Sequence, residues 1–138
     1  KGDTLVVGAA LSGHAYKPES KQPLNGTTTP WNTLAAWDLQ KLALTGFPLV
    51  GEGLHKGSDG KFLAGGVEEV SAIGLLQGVL GVENAKAKLI RLPDIDWDVH
   101  FDDAERRKWH EEKMKSKFVR PHQHMKLLNG MTGEVEHY

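Results

Sequence analysis

A chain of 138 residues, 39% hydrophobic and 25% charged, is long enough for one domain with a packed core. Its 17 basic and 18 acidic residues leave a formal charge of -1, so there is no general attraction to nucleic acid or to an anionic membrane. Without cysteine it has no disulfides and no thiolate metal site, and no apolar run reaches the roughly 18 residues of a membrane span.

The opening Lys1-Gly2-Asp3 has neither an initiator Met nor a signal peptide, which suggests a fragment of a longer chain. A soluble protein is expected, with the cytoplasm the favoured setting. Thr4 to Leu11 is a short apolar run ending in small residues and reads as a buried strand. Ser12 to Pro30 is polar and rich in Pro, Gly and Thr, and reads as a long exposed loop. Trp31 to Leu44 is either one helix or a strand, Thr33 to Trp37, followed by a short helix. In the second version Asp38 is the N-cap and Gly46 the stop.

A glycine-rich loop, His55 to Gly66, then leads into the strongest helical pattern in the chain. Val67, Val70, Ile73, Leu76 and Leu80 recur at helical spacing, and Gly81 ends the run. Ala87 to Leu92 reads as a strand stopped by Pro93. Asp102 to Phe118 reads as a solvated helix, with Asp102 and Glu105 as its start and Asp102/Arg106, Asp103/Arg107 and Glu111/Lys115 as opposite-charge pairs. Residues 119–138 read as a weakly patterned tail. Strands alternating with helices predict a single layered α/β domain over residues 1–138.

Glu68 and Glu69 follow Gly65 and Gly66 at the start of the strongest helix. A carboxylate there is anchored, and either acid could serve as a general base. Acids are also favoured in any first helical turn, which is the plainer reading. The two glycines would let a ligand approach the backbone. Asp94, Asp96, Asp98 and His100 alternate along an extended segment and would share one side. That set suits a divalent cation, with His100 the favoured ligand, although a polar edge strand looks the same. Trp31, next to Pro30 and a long loop, could stack on a sugar, whereas core packing is the ordinary fate of tryptophan. His122 and His124, with His137 further on, form a possible His-x-His metal site, although solvated histidines on a surface tail are the plainer reading. The run from Val7 to Gly13 lacks the spacing of a dinucleotide turn, and no G-x-S-x-G is present. The basic residues from Arg106 to Arg120 are interleaved with acids and read as a solvated face.

In this order the segments resemble the second, acceptor-side half of a GT-A-type nucleotide-sugar glycosyltransferase. The matching pieces are Trp31 to Asp38, the hydrophobic segment Leu42 to Phe47, the acidic pair Glu68-Glu69, the strand Lys88 to Leu92 and the charged helix Asp102 to Phe118. The resemblance implies transfer of a sugar from a nucleotide-sugar donor to a hydroxyl acceptor. Glu69, or Glu68, would be the base, with Trp31, Asn32, Gly65 and Gly66 framing the substrate. It implies a divalent cation, Mn or Mg, completed by His100. The second acid is Glu where Asp is usual, and no D-x-D follows a nucleotide-binding strand, so the fragment alone is expected to be inactive. Two other classes fit the residues: a non-catalytic binding or assembly module, and a small metal-dependent hydrolase using Asp94, Asp96 and His100.

Overall fold

The computed structural model describes residues 2–53, 55–95 and 101–138. Asp96, Asp98 and His100, the main part of the expected metal set, lie outside the described residues.

The chain forms a mixed α/β domain. Strand β1 (Thr4–Ala9) is followed by β2 (Ser20–Pro23), β3 (Ala35–Trp37) and a single-turn helix α1 (Leu39–Leu42). Helix α2 (Glu68–Leu80), strand β4 (Lys86–Ile90), helix α3 (Ala104–Leu127) and strand β5 (Glu134–His137) complete it. The sheet has five strands in the order β2-β5-β4-β1-β3. Strands β1, β4 and β5 run parallel, while β3 on β1 and β2 on β5 are antiparallel edges. Parallel neighbours need long crossovers, and α2 and α3 belong to those crossovers. Among the described residues, no helix is long and apolar enough to cross a membrane.

The core lies between the sheet and the helices. On β4, Ala87 and Leu89 are buried against Ile73 and Leu76 of α2, with Val135 of β5 beside them. Lys86 and Lys88 alternate with them and are only partly buried. There they join Asp3 in ion pairs, Lys86 at 2.7 Å and Lys88 at 3.8 Å. The bond from Lys86 holds the Asp3 carboxyl down at about 2. Gln77 of α2 fastens β5 to the helix layer: its amide donates to the Glu134 carbonyl and accepts from the Glu134 N–H, both at 2.9 Å.

Several expectations change. The strand-then-helix version of residues 31–44 is the one formed, and Asp38 caps α1 by accepting from the Gln40 and Lys41 N–H groups. Residues 12–30 are not simply an exposed loop. They contain the edge strand β2, and Thr28, Thr29 and Pro30 are buried. Asn25 organises the end of this segment by accepting from the N–H groups of Thr27 and Thr28. Helix α3 starts one residue later than expected, capped by Asp103 rather than Asp102. It runs through Pro121 to Leu127, and none of the three expected opposite-charge pairs forms an ion pair in it. The segment 119–138 thus supplies the end of a helix and an interior strand. His124 and His137 are fully buried rather than solvated.

Candidate functional site

The acidic pair meets the loop before β3. A 3-10 turn, Asn32–Leu34, follows Trp31, and its Asn32 N–H donates to Glu69 Oε1. The Asn32 side-chain amide donates to Glu68 Oε1 at 3.2 Å and accepts from the Trp37 indole at 2.9 Å. The structure therefore brings together Trp31, Asn32, Glu68 and Glu69. The two acids differ. Glu68 is half-buried, whereas Glu69 is only 5% exposed, and its Oε2 has no hydrogen-bond partner. Burial pushes the Glu69 carboxyl above the ordinary range, against the opposing effects of the Asn32 bond and of the Lys117 ammonium.

The chain enters α2 under strain. Val67, the residue before Glu68, has φ 57° and ψ 47° and gives no side-chain cap. A β-branched residue is rarely left-handed, at a cost of order 1–3 kcal/mol. It is held there because its side chain is buried beside Val70, Trp31 and Met125. Gly65 and Gly66 are closed in by the protein itself. A Cβ at Gly65 would lie 2.5 Å from the Glu52 carbonyl carbon, and one at Gly66 would lie 2.9 Å from the Arg120 guanidinium. Arg120 also donates to the Gly65 carbonyl, and the buried His124 imidazole bonds the Ala64 carbonyl at 3.0 Å. These glycines let α3 and the 48–53 segment pack against the loop, and the space expected for a ligand is filled by protein.

Trp31 is 6% exposed, and its indole donates to the Gly26 carbonyl at 2.8 Å. Its ring stacks on His14 with centroids 3.7 Å apart, and the Lys117 ammonium sits 3.3 Å from the ring centroid. The surfaces expected to stack on a sugar are thus largely in use. His14 accepts from the Leu11 N–H at 2.8 Å through Nδ1 and bonds the Thr29 carbonyl at 2.9 Å through Nε2. This network assigns the neutral tautomer protonated at Nε2. Burial lowers its pKa to about 4.

A cavity of about 100 Å³ lies at the carboxyl end of β1, between Ser12, Trp31 and Thr33 on one side and His110, Lys113 and Lys117 of α3 on the other. In α/β sheets this is the edge where ligands are commonly held. A second cavity of about 500 Å³ shares Ser12 with it and reaches Arg91 after β4. No carboxylate of the described residues lines either cavity. Lys117 is half-buried with its pKa lowered, first by burial, while Glu69 opposes the shift and Lys113 and Arg120 add to it. The solvated face expected for the basic residues of α3 does not hold at Lys117, and Lys113 lines the cavity beside it. Their spacing of four, flanking Met114 on the packed side of α3, is the signal that could have separated them from Lys115. Nothing in the sequence marks His14.

Among the described residues, no three His, Asp or Glu side chains converge as a metal-binding group. Asp94 is exposed at the end of the segment that follows β4. Compared with known proteins, the chain matches no family, no curated protein and no solved structure.

Proposed function

We propose that this domain is the acceptor side of a GT-A-type sugar transferase, with Glu69 as the general base. The observation that carries this reading is the state of the Glu69 carboxylate. One oxygen is fixed by the Asn32 N–H, and the other is withheld from water and unpartnered. An acid placed only to serve a helix dipole sits in solvent and needs no such setting. The order of elements fits as well: β3, the short α1, the Gly46-Phe47 segment, the glycine loop, the acid pair, α2 and β4.

In the proposed step the acceptor hydroxyl gives its proton to Glu69 Oε2. Its oxygen bonds to the anomeric carbon of the donor sugar as the bond to the nucleoside diphosphate breaks, and the diphosphate leaves with the electron pair. The raised pKa makes Glu69 a stronger base than an exposed glutamate. Because Oε2 is sealed, the acceptor must displace a neighbour to reach it. A divalent cation would neutralise the leaving diphosphate. The described residues offer no set to hold one, so no step is routed through it.

The test is Glu69→Gln in the longer protein to which this chain is proposed to belong, assayed for nucleoside diphosphate release with a panel of nucleotide sugars and hydroxyl acceptors. Transfer should fall by about 10²-fold or more with the fold intact. Wild-type rates in the variant would dispose of the base assignment. The sealing of Oε2 favours one other reading, a non-catalytic binding module, which predicts no turnover from either protein.

A further inference from the structure

We infer that the acceptor is anionic: a hydroxyl compound carrying a phosphate or carboxylate, held by Lys113 and Lys117 in the cavity at the carboxyl end of β1. This rests on the acceptor reading of Glu69. The chain as a whole is balanced in charge, yet this cavity is lined by Lys113, Lys117 and His110 with no carboxylate among the described residues. Two ammonium groups four residues apart on one helix repel each other, and no described acid forms an ion pair with either. An oxyanion between them would relieve that repulsion. The Thr33 and Ser12 side chains supply neutral hydrogen-bonding groups to the same cavity.

Geometry ties the anion to the acceptor. Lys117 is coupled in charge to Glu69, and it also lines the cavity. The cavity walls Trp31 and Thr33 flank Asn32, whose N–H holds Glu69. Glu69 itself does not line the cavity, so the acceptor's anion sits in the cavity and its hydroxyl reaches past Asn32 to Glu69. Lys117 would neutralise an anionic substituent that would otherwise repel the carboxylate. The larger cavity, which shares the wall residues Leu11 and Ser12 and reaches Arg91, is the neighbouring space for the rest of the acceptor.

The experiment is a titration of this chain, followed by tryptophan fluorescence because Trp31 is part of the lining. The probes are a hexose 6-phosphate, a hexuronate, the free hexose, inorganic phosphate and a nucleoside diphosphate. The two sugar anions should bind about tenfold or more tighter than the free hexose, and the paired variant Lys113→Met with Lys117→Met should remove that advantage. Lys115→Met, on the same helix but outside the cavity, should leave it unchanged. The inference is overturned if no probe binds, if the free hexose binds as well as the sugar anions, or if inorganic phosphate alone matches them. It is also overturned if the nucleoside diphosphate binds tightest and is lost in the paired variant, which would mark a donor site. The phosphate and carboxylate arms distinguish the two anion sources. The transferase reading is separable: anion binding with Glu69-independent transfer sinks the base alone, and Glu69-dependent transfer that favours neutral acceptors sinks the anion alone.

Discussion

Helices α2 and α3 both begin with acidic residues, and the two beginnings are built for different ends. At α3, Asp103 has ordinary extended backbone angles, accepts from the Glu105 N–H at 2.9 Å, and is exposed. That is a cap, and its contribution is structural. At α2 the chain turns through left-handed Val67, has no side-chain cap, and aims a buried carboxylate away from its own helix toward Asn32. Two helix starts that both carry acids, an aspartate at the N-cap of α3 and a glutamate in the first turn of α2, thus separate into a terminus that stabilises itself and one whose backbone strain is tolerated to place a side chain. An exposed acid in a first turn needs no further account, whereas a buried acid behind a strained residue does.

The comparison can be broken most directly by activity. If the proposed transfer holds, Glu69→Gln should lower it by about 10²-fold or more, while Asp103→Asn should leave it unchanged, as read by initial rates in the proposed longer protein. Equal losses would mean both acids act only through helix stability. Next in size is Gly65→Ala, whose Cβ would press on the Glu52 backbone. It should cost about 3 kcal/mol, measured by urea denaturation, and a near-silent substitution would show that the packing between the loop and residues 52–53 is not tight. The strain at Val67 can be sharpened by pairing Val67→Gly with Val70→Gly. Both lose a buried valine, but only the first relieves a left-handed backbone, so it should be milder by about 2 kcal/mol. Equal costs would remove the argument from strain.

Acid should act on the loop that carries Trp31. His14 and His137 are both lowered by burial, and each accepts from a backbone N–H and bonds the carbonyl of Thr29 or Thr28. A base whose folded pKa is depressed contributes stability that is present above its unfolded value and lost as pH falls through the folded one. Stability should therefore decline from about pH 6.5 to about pH 4. Thermal melts of His14→Gln across that range should show a shallower decline, and an unchanged slope would mean that the fold does not hold His14 neutral. The smallest effect is expected at the plainer helix start. Asp103→Ala should cost about 1 kcal/mol, visible as a shift of a few degrees in Tm, and a loss several times larger would mean that α3 begins as more than a cap.

Much of the fold was legible where periodicity and capping agree. Val70, Ile73 and Leu76 mark α2, Asp38 with Gly46 frames α1, and the apolar run after Thr4 marks β1. The rest was hidden for identifiable reasons. Strand β2 is Ser-Lys-Gln-Pro, a polar edge with a proline at its end, and edges need no apolar face. In β5 one of the two inward residues is His137, which hydropathy counts as polar although its two ring nitrogens are both bonded. Pro121 ordinarily stops a helix, because the carbonyl four residues earlier loses its donor. Here that carbonyl belongs to Lys117 and lies against Gly26, where no side chain intervenes. For the site, the acid pair and Trp31-Asn32 were found as separate words. Their convergence depends on the path of the 12–31 segment, which is pinned by histidines that carry no periodic signal.

The place of β5 in the sheet has a consequence for how the molecule is made. Lys21 of β2 meets Glu134 of β5 across 113 positions of sequence, and β5 separates β2 from every other strand. As the chain emerges during synthesis, β1, β3 and β4 can pair early, while β2 has no partner until residues 134–137 arrive. Until then the polar composition of Ser20 to Pro23, with its lysine and proline, keeps an unpaired edge from recruiting other chains. The same residues that concealed β2 as a strand protect it while it waits.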